Sequence, residues 1–417
     1  MNIDDLILIS IDDHVVEPAG MFQLHPPKAY AEHVPRLLTN DQGVDQWVYR
    51  GRPVGVTGLN AVVGWPKEEW DKNPTKYAEM RPGVYDSAAR IGDMNANGIL
   101  ASMCFPTFAG FSAGHLSQFK DEITVAMIAA YNDWHVDEWC AAYPGRFIPN
   151  AILPLWDTDL AVAEITRVAA KGFRAVTMPE LPHIDKLPSY HDGDYWAPVW
   201  AALADTGLVM NLHIGQGFGV LRMAPDAPID NLMCLAPTVS QVAVQDLLWG
   251  PALRSYPGLK VALSEGGIGW IPFYLDRSDR HYTNQKWLRR DFGGRLPSDV
   301  FREHVMACYV TDKTSLKLRH EIGIDNIAWE CDYPHSDSIW PNAPEFVLDE
   351  LNAAGADDAD IDKITWANAG RFLNWDPFAV IPREQATVGA LRAQAADVDL
   401  TIRPRKEWAE LYAQRAG

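Results

Sequence analysis

The stretch LILISIDDH, residues 6–14, is an apolar run that ends in Asp12 and His14. Side chains two residues apart leave the same face of a strand, so these two can reach one ion from a single strand end. An apolar run followed by a polar side chain recurs at three further places: His213, Glu265 and Asp332. Carboxylate and imidazole groups are ligands that divalent transition metals accept together. The sequence therefore predicts a metal centre assembled from strand ends.

Apolar runs of strand length alternate with amphipathic helical patterns along the whole chain. We expect strands at residues 6–11, 99–105, 146–153, 175–178, 208–213, 260–264, 305–310 and 327–329. Helical patterns lie between them, at residues 123–142, 160–170, 197–204, 239–247 and 343–352. Strand and helix in alternation favour a parallel sheet, and eight units predict an α/β fold, a TIM-like (β/α)8 barrel. An open doubly wound sheet is the competing fold, but no glycine-rich phosphate turn follows any strand.

Three segments depart from a plain barrel. We assign residues 1–375 to the barrel, with a lid-like insertion at about 15–90 after the first strand, and residues 376–417 to a C-terminal helical extension. The insertion is rich in Pro, Trp and Gly, and its position predicts that it covers the barrel mouth. The loop 214–237 is apolar for a loop, which fits a substrate wall or a packed surface excursion. The extension fits docking on a neighbouring subunit or packing on its own barrel.

Composition narrows the class of protein. The chain has 417 residues, of which 47% are hydrophobic, enough for the core of an enzyme. A formal net charge of -19 argues against a nucleic-acid or anionic membrane partner. The five cysteines are scattered and indicate reduced core residues, and the chain shows neither a signal peptide nor a membrane-spanning run. We expect a cytoplasmic protein, a homodimer, with a small-molecule substrate.

Each predicted ligand also has an ordinary structural role. His213 can be a hydrogen-bonded core residue, and Glu265 can cap the helix that follows it. Asp12 and Asp332 can stabilise turns through their side chains. All of them nevertheless fall at the C-terminal ends of predicted strands, which gather at one mouth in a parallel barrel. This shared placement favours the metal centre over the separate structural roles.

Five segments together resemble the amidohydrolase superfamily, in its branch related to aminocarboxymuconate semialdehyde decarboxylase: ISIDDHVVEP, PGRFIPNAILPLWDTDLAVAEI, GLVMNLHIGQG, LSEGGIGWIP and IAWECDYPHSDSIWP. The resemblance covers roughly residues 6–375. It implies a TIM-like barrel with one divalent metal ion, held by an acidic or histidine ligand, a histidine two residues on, a histidine after the fifth strand and an aspartate after the eighth. The matching positions are Asp12, His14, His213 and Asp332. The family includes decarboxylases, carbon–carbon hydrolases, hydratases and acyl hydrolases, so membership leaves the reaction open.

Glu265 departs from the pattern of the family's decarboxylases, which usually carry a histidine beside a glycine pair after the sixth strand. Asp12 and Asp332 already neutralise one divalent ion, so an ionised Glu265 would leave the site negative. Glu265 therefore either works as a general acid or base, or binds a second cation. Glu17 and His335 are close enough in sequence to serve a second ion, although a structural hydrogen bond or salt bridge is the commoner role, above all for Glu17.

We expect a metal-dependent hydrolase that cleaves an amide, ester or thioester of a carboxylic compound with a metal-activated water. Asp332 would take the proton of the water and pass it to the leaving group, Glu265 would share this proton transfer or hold a second ion, and His335 would hydrogen-bond the developing oxyanion. The expected cofactors are one or two divalent transition metal ions, zinc or else iron or manganese. Three alternatives stay open: non-oxidative decarboxylation of an aromatic or unsaturated acid, di-iron oxygen chemistry on the same fold, and a non-catalytic binding barrel.

Overall fold

The computed structural model describes residues 1–24, 27–221, 223–288 and 291–416. Its strands, in chain order, are β1 Leu8–Val15, β2 Arg36–Thr39, β3 Asp45–Tyr49, β4 Arg52–Val54, β5 Ile99–Pro106, β6 Phe147–Ile148, β7 Asn150–Ala151, β8 Ala175–Met178, β9 Val209–His213, β10 Val261–Ser264, β11 Val305–Tyr309 and β12 Ile327–Trp329.

The α-helices are α1 Met21–Leu24, α2 Ser87–Ala96, α3 Glu122–Trp134, α4 Thr158–Ala170, α5 Gly193–Thr206, α6 Ile229–Leu235, α7 Thr238–Trp249, α8 Ala252–Ser255, α9 Ile271–Asn284, α10 Pro297–His304, α11 Arg319–Ile322, α12 Ala343–Ala353, α13 Asp358–Asp362, α14 Asn368–Phe372, α15 Val388–Arg392 and α16 Arg405–Ala416. Two π-helical turns continue α3 and α13, at His135–Cys140 and Lys363–Ala367. Short 3-10 turns lie at Ile3–Asp5, Lys28–His33, Lys67–Glu69, Tyr77–Glu79, Pro82–Val84, Pro182–Asp185, Gln216–Val220, Lys286–Leu288, Ser315–Leu318, Ile324–Asn326 and Arg383–Gln385.

The predicted strands and helices are present. β1 begins two residues later than expected and continues to Val15, and the run 146–153 is divided into the short strands β6 and β7. The helical patterns correspond to α3, α4, α5, α7 and α12. Among the described residues, no helix is both long and apolar enough to cross a membrane.

The chain divides into two compact units. The first comprises Met1–Ile152, Cys331–Phe346 and Pro377–Gly417, and the second comprises Leu153–Glu330 and Val347–Asp376. The five cysteines are all free, and four of them are buried, as expected for reduced core residues. Cys234 is the exception, because it lies exposed on α6.

In the first unit, β1, β5 and β6 form a parallel sheet. Every residue of β1 is buried, which explains why its sequence is apolar without alternation until the acids at its end. The insertion after β1 contains an antiparallel sheet of β2, β3 and β4, which the sequence did not indicate. No residue of β2 is buried, so the strand carries no hydrophobic pattern that would predict it.

The C-terminal extension packs on the insertion within the first unit. Trp408 on α16 lies in a buried cluster with Val62 and Trp65. The backbone N–H of Arg403 also donates to the carbonyl oxygen of Gly64 at 2.9 Å. Of the two roles left open for the extension, packing on its own chain is therefore present in the structure.

In the second unit, five parallel strands pair in the order β8, β9, β10, β11 and β12. All of their residues are buried, as in a sheet covered on both faces. Ser264 pairs with His213, so the last residues of β10 and β9 lie side by side. The side chains that follow these two strands thus start from the same edge of the sheet.

In the predicted loop 214–237, Arg222 lies outside the described residues.

Candidate metal centre

Four predicted site residues lie in the first unit: Asp12, His14, Asp332 and His335. The first three are fully buried and His335 is 5% exposed. Asp12 and His14 belong to the end of β1, whereas Asp332 and His335 belong to the segment Cys331–Phe346. The structure thus brings together, inside one compact unit, residues that are more than three hundred positions apart in sequence.

Hydrogen bonds hold these two segments against each other. The N–H of Asp332 donates to the carbonyl oxygen of Asp12 at 2.8 Å, and the N–H of His14 donates to that of Tyr333 at 2.6 Å. Between them, the buried carboxylate of Asp13 accepts from the N–H of Tyr333 at 2.9 Å. Ser10 and Ser102 donate their hydroxyls to the same carboxylate. Asp13, which the sequence reasoning passed over, therefore ties the two segments together.

The side-chain separations in this cluster suit ligands of one ion. His14 Nε2 lies 3.3 Å from Asp332 Oδ1 and 3.6 Å from Asp12 Oδ1. Atoms bonded to one ion at roughly 2.0 to 2.2 Å, with angles of about 90 to 110°, are about 2.8 to 3.6 Å apart. His335 Nδ1 lies 2.8 Å from Asp332 Oδ1, so its imidazole is in direct contact with this carboxylate.

The charges in the cluster also favour a bound cation. Two fully buried carboxylates lie together, and buried charges are costly unless they are paired or coordinate a metal. The rings of His14 and His335 are 3.8 Å apart, so two imidazolium charges there would repel each other. A divalent cation would offset both carboxylates while the histidines stay neutral. The residues of this unit fit a divalent transition metal ion.

The other two predicted site residues lie in the second unit. His213 ends β9, and its Nδ1 is 2.5 Å from the carbonyl oxygen of Ile214. Because a carbonyl only accepts, Nδ1 carries the proton, and the lone pair of the neutral ring is on Nε2. Oε2 of Glu265 lies 3.7 Å from that Nε2. At this distance, the Nε2 lone pair and the Glu265 carboxylate are suited to bind one metal ion together. A protonated His213 ring would instead form an ion pair with the same carboxylate.

Two of the predicted acids have unusual backbone conformations. Glu265 has φ 52° and Asp332 has φ 55°, values that residues other than glycine rarely adopt. The N–H of Glu265 donates to Oε1 of the buried Glu330 at 3.0 Å, which stabilises this turn. Backbone strain of this kind concentrates at functional sites, so it supports a role for both side chains beyond capping.

Glu17, considered above for a second ion, instead accepts hydrogen bonds from the N–H groups of Thr107 and Phe108, at 3.1 and 2.8 Å. Its burial raises the pKa of the carboxyl to about 7. This is the structural hydrogen-bonding role that the sequence favoured for Glu17.

Aromatic side chains and the insertion border the cluster of the first unit. The rings of Phe111 and Phe105 lie 5.1 and 5.9 Å from the ring of His14. In the insertion, the N–H groups of Val62 and Val63 both donate to the carbonyl oxygen of Pro334 at 3.1 Å. The insertion thus lies against the segment that carries Asp332 and His335, and Phe111 offers an apolar surface next to His14.

Sequence reasoning missed two further buried acids in the second unit. Glu180 follows β8 by two residues, and Glu330 directly follows β12. The strand-end rule used for the other residues would have found both of them.

Comparison with known proteins identifies the family. A family model described as amidohydrolase matches residues 23–375. The chain belongs to the amidohydrolase family. Two curated relatives are decarboxylases, which agrees with the branch indicated by the sequence. Gamma-resorcylate decarboxylase of Rhizobium sp. (strain MTP-10005) is 26% identical over 255 residues, covering 57% of this chain and 73% of the relative. The 2-amino-3-carboxymuconate-6-semialdehyde decarboxylase of Dictyostelium discoideum is 20% identical over 303 residues, covering 72% and 80%.

Solved structures with the same fold include an amidohydrolase from Mycobacterium avium subsp. paratuberculosis K-10, with a TM-score of 0.68, 22% identity and coverage of 88% of this chain and 99% of that chain. A dihydroxybenzoic acid decarboxylase from Polaromonas sp. JS666, solved with bound manganese and 2-nitroresorcinol, has a TM-score of 0.55, 20% identity and coverage of 74% and 90%. The family and these likenesses confirm the predicted α/β fold of the TIM-barrel type. The protein is an enzyme of the amidohydrolase superfamily.

Proposed function

We propose that this amidohydrolase is a metal-dependent, non-oxidative decarboxylase of an aromatic or unsaturated carboxylic acid. The observation that carries the proposal is the buried cluster of Asp12, His14 and Asp332, with separations that suit metal ligands and an aromatic side chain, Phe111, beside it. The sequence alone favoured acyl hydrolysis. The named relatives support its alternative, decarboxylation, better.

We propose that the metal ion is held by Asp12, His14 and Asp332 of the first unit; for His213 and Glu265, a role as metal ligands stays a prediction from the sequence. A divalent transition metal is consistent with these ligand types, and the Polaromonas decarboxylase binds manganese. When bound, such an ion would supply a Lewis acid that polarises the oxygens of the substrate. The chain's own residues must then provide the proton and the surface against which the substrate ring lies.

Non-oxidative decarboxylation breaks the bond between a carbon atom and its carboxylate, releases CO2 and places a proton on that carbon. His335 Nδ1 lies 2.8 Å from Asp332 Oδ1, and these two residues are the proposed proton carriers. With His335 beside it, Asp332 would take up a proton from solvent, pass it to the substrate carbon as CO2 leaves, and be protonated again from solvent for the next turnover. Phe111 provides an apolar face that excludes water from the ring of the substrate.

A second candidate is the acyl hydrolysis predicted from the sequence, and one observation favours it. Glu265 stands where the decarboxylase pattern has a histidine, and its carboxylate lies 3.7 Å from His213 Nε2. In that reaction Glu265 would take the proton of the attacking water and deliver it to the leaving group.

The two reactions are distinguished by their products. Manganese-loaded protein would be incubated with 2,6-dihydroxybenzoate labelled with 13C in its carboxyl group, and with further hydroxybenzoates and unsaturated acids. Release of labelled CO2, absent from the His14→Ala variant and from metal-stripped protein, would support decarboxylation. Release of no CO2 from any acid, together with metal-dependent cleavage of aryl esters or thioesters, would reject it in favour of hydrolysis.

A further inference from the structure

Glu180 is a buried acid of the second unit that the proposed mechanism does not use. It follows β8 by two residues, and its side chain is fully buried. β8 pairs in parallel with β9, with Met178 beside Leu212. The residues after the two strands therefore start from the same sheet edge, and Glu180 lies next to the turn that follows His213.

The carboxyl of Glu180 contacts the backbone of that turn. The N–H of Gly217 donates to Oε2 at 3.2 Å, and the amide of Gly215 also hydrogen-bonds the carboxyl. A Cβ at position 217 would come within 2.3 Å of a methyl carbon of Val239 and 3.4 Å of Glu180 Oε1. Glycine at this position therefore lets the turn pack against Val239 while its N–H reaches the Glu180 carboxyl.

The same turn determines how His213 is oriented. The carbonyl oxygen of Ile214 accepts a hydrogen bond from the Nδ1–H of His213 at 2.5 Å, and the N–H of Ile214 donates to the carbonyl oxygen of Ser264. A histidine whose Nδ1 is held by a carbonyl presents Nε2 as its ligand atom. Contacts therefore run without a break from Glu180, through the glycine amides and Ile214, to the ring of His213.

We infer that Glu180 is a positioning residue, which holds the turn 214–217 and through Ile214 fixes the orientation of the His213 ring. Its importance for catalysis rests on the proposed metal-dependent function, whereas the restraint on the turn does not.

The surroundings of Glu180 favour the neutral form. Burial raises the pKa of its carboxyl to about 8, with a further increase from the nearby Asp185 and an opposing effect of the glycine amides. The phenol of Tyr190, the other titratable group facing it, has a pKa well above its usual range and donates to the carbonyl oxygen of Pro179. Oε1 has no hydrogen-bond partner within the described part of the chain, so ionisation would leave a buried charge that is poorly stabilised.

The difference between the folded and unfolded pKa of Glu180 determines how its stabilising effect changes with pH. The folded-state pKa of about 8 lies above the value of roughly 4.3 in an unfolded chain. The contribution of Glu180 is therefore complete below about pH 4.3 and is lost progressively as the pH rises from there through about 8. At pH 9 about one tenth of the carboxyls would remain protonated, so the turn should open about ten times more often than at pH 7.

Hydrogen exchange of the purified full-length protein, measured by mass spectrometry on peptides spanning 214–220 and corrected for intrinsic rates, tests the inference without substrate turnover. We expect wild-type protection to fall about tenfold between pH 7 and pH 9. Glu180→Gln, which imitates the neutral acid, should keep its protection at both pH values, and Glu180→Ala should lose it at both. Glu164→Gln, the same substitution at the ion pair with Arg167, should behave as wild type.

Equal pH dependence in wild type and Glu180→Gln, or wild-type protection in Glu180→Ala, would overturn the inference. If Glu180→Ala does not fold, the comparison of Glu180→Gln with wild type is sufficient to test the inference. Failure of the proposed decarboxylation would appear only in the CO2 assay, because hydrogen exchange of this turn needs neither substrate nor turnover.

Discussion

Replacement of Asp13 by alanine is expected to weaken both the fold and the binding of metal. The change removes the acceptor of the Tyr333 N–H and of the hydroxyls of Ser10 and Ser102, all of them buried. A buried donor left without an acceptor costs about 1 to 3 kcal/mol. Ser10 keeps a second acceptor, the carbonyl oxygen of Asp12, so the main losses fall on Tyr333 and Ser102. We therefore expect Asp13→Ala to lower the free energy of unfolding by about 2 to 5 kcal/mol.

The same substitution should lower metal affinity, because Asp13 connects the two segments that carry the proposed ligands. Loss of a group that orients metal ligands typically costs about 10- to 100-fold in affinity. Urea denaturation and manganese titration would measure the two effects, with Asp13→Asn as the matched variant that keeps one acceptor oxygen. Asp13→Asn should fall between wild type and Asp13→Ala. If Asp13→Ala has wild-type stability and a Kd for manganese within twofold of wild type, Asp13 does not connect the two segments.

Three other substitutions test individual side chains. His213→Ala should keep its circular dichroism spectrum and lose its metal, because the residue is the last of β9 and the rest of the strand is unchanged. Full metal content by elemental analysis would make His213 a core histidine only. Glu265→Gln should keep its metal and lose turnover by a factor of about 10² to 10⁴ if the carboxylate carries protons. If the metal content of the variant instead falls from two ions per chain toward one, Glu265 is a ligand of a second ion. If metal content and turnover are both unchanged, Glu265 has neither of these roles. Phe111→Ala should raise KM for an aromatic acid about 2- to 10-fold with little change in kcat, because an aromatic contact contributes about 0.5 to 1.5 kcal/mol. An unchanged KM would show that Phe111 does not contact the substrate.

Most of the fold follows from the sequence because parallel strands buried on both faces leave a clear pattern. β1, β9 and β10 are fully buried and mostly apolar up to their last residues, and the polar residues that end such strands lie at the carboxyl edge of a sheet. The sheet of the insertion could not be found in this way. β2 has no buried residue, and the stability of such a strand comes from pairing with β3 and not from a pattern of its own.

The details of the site were only partly predictable. Asp12, His14 and Asp332 meet because hydrogen bonds join β1 to the segment Cys331–Phe346, which a one-dimensional pattern does not contain. The positive φ of Asp332 and of Glu265 likewise depends on tertiary contacts. The reaction could not be derived from the ligand set, because hydrolysis and decarboxylation both use a divalent ion beside an acid. The homodimer also stays a prediction.

Asp12, His14 and Asp332 are proposed to bind one divalent metal ion. Crystals of the manganese-loaded protein, measured on both sides of the manganese absorption edge, test it most directly. We expect an anomalous peak roughly 2.0 to 2.3 Å from His14 Nε2 and from a carboxylate oxygen of Asp12 and of Asp332. A fully loaded protein with no peak between these three side chains, or with its ion bound elsewhere, would contradict it.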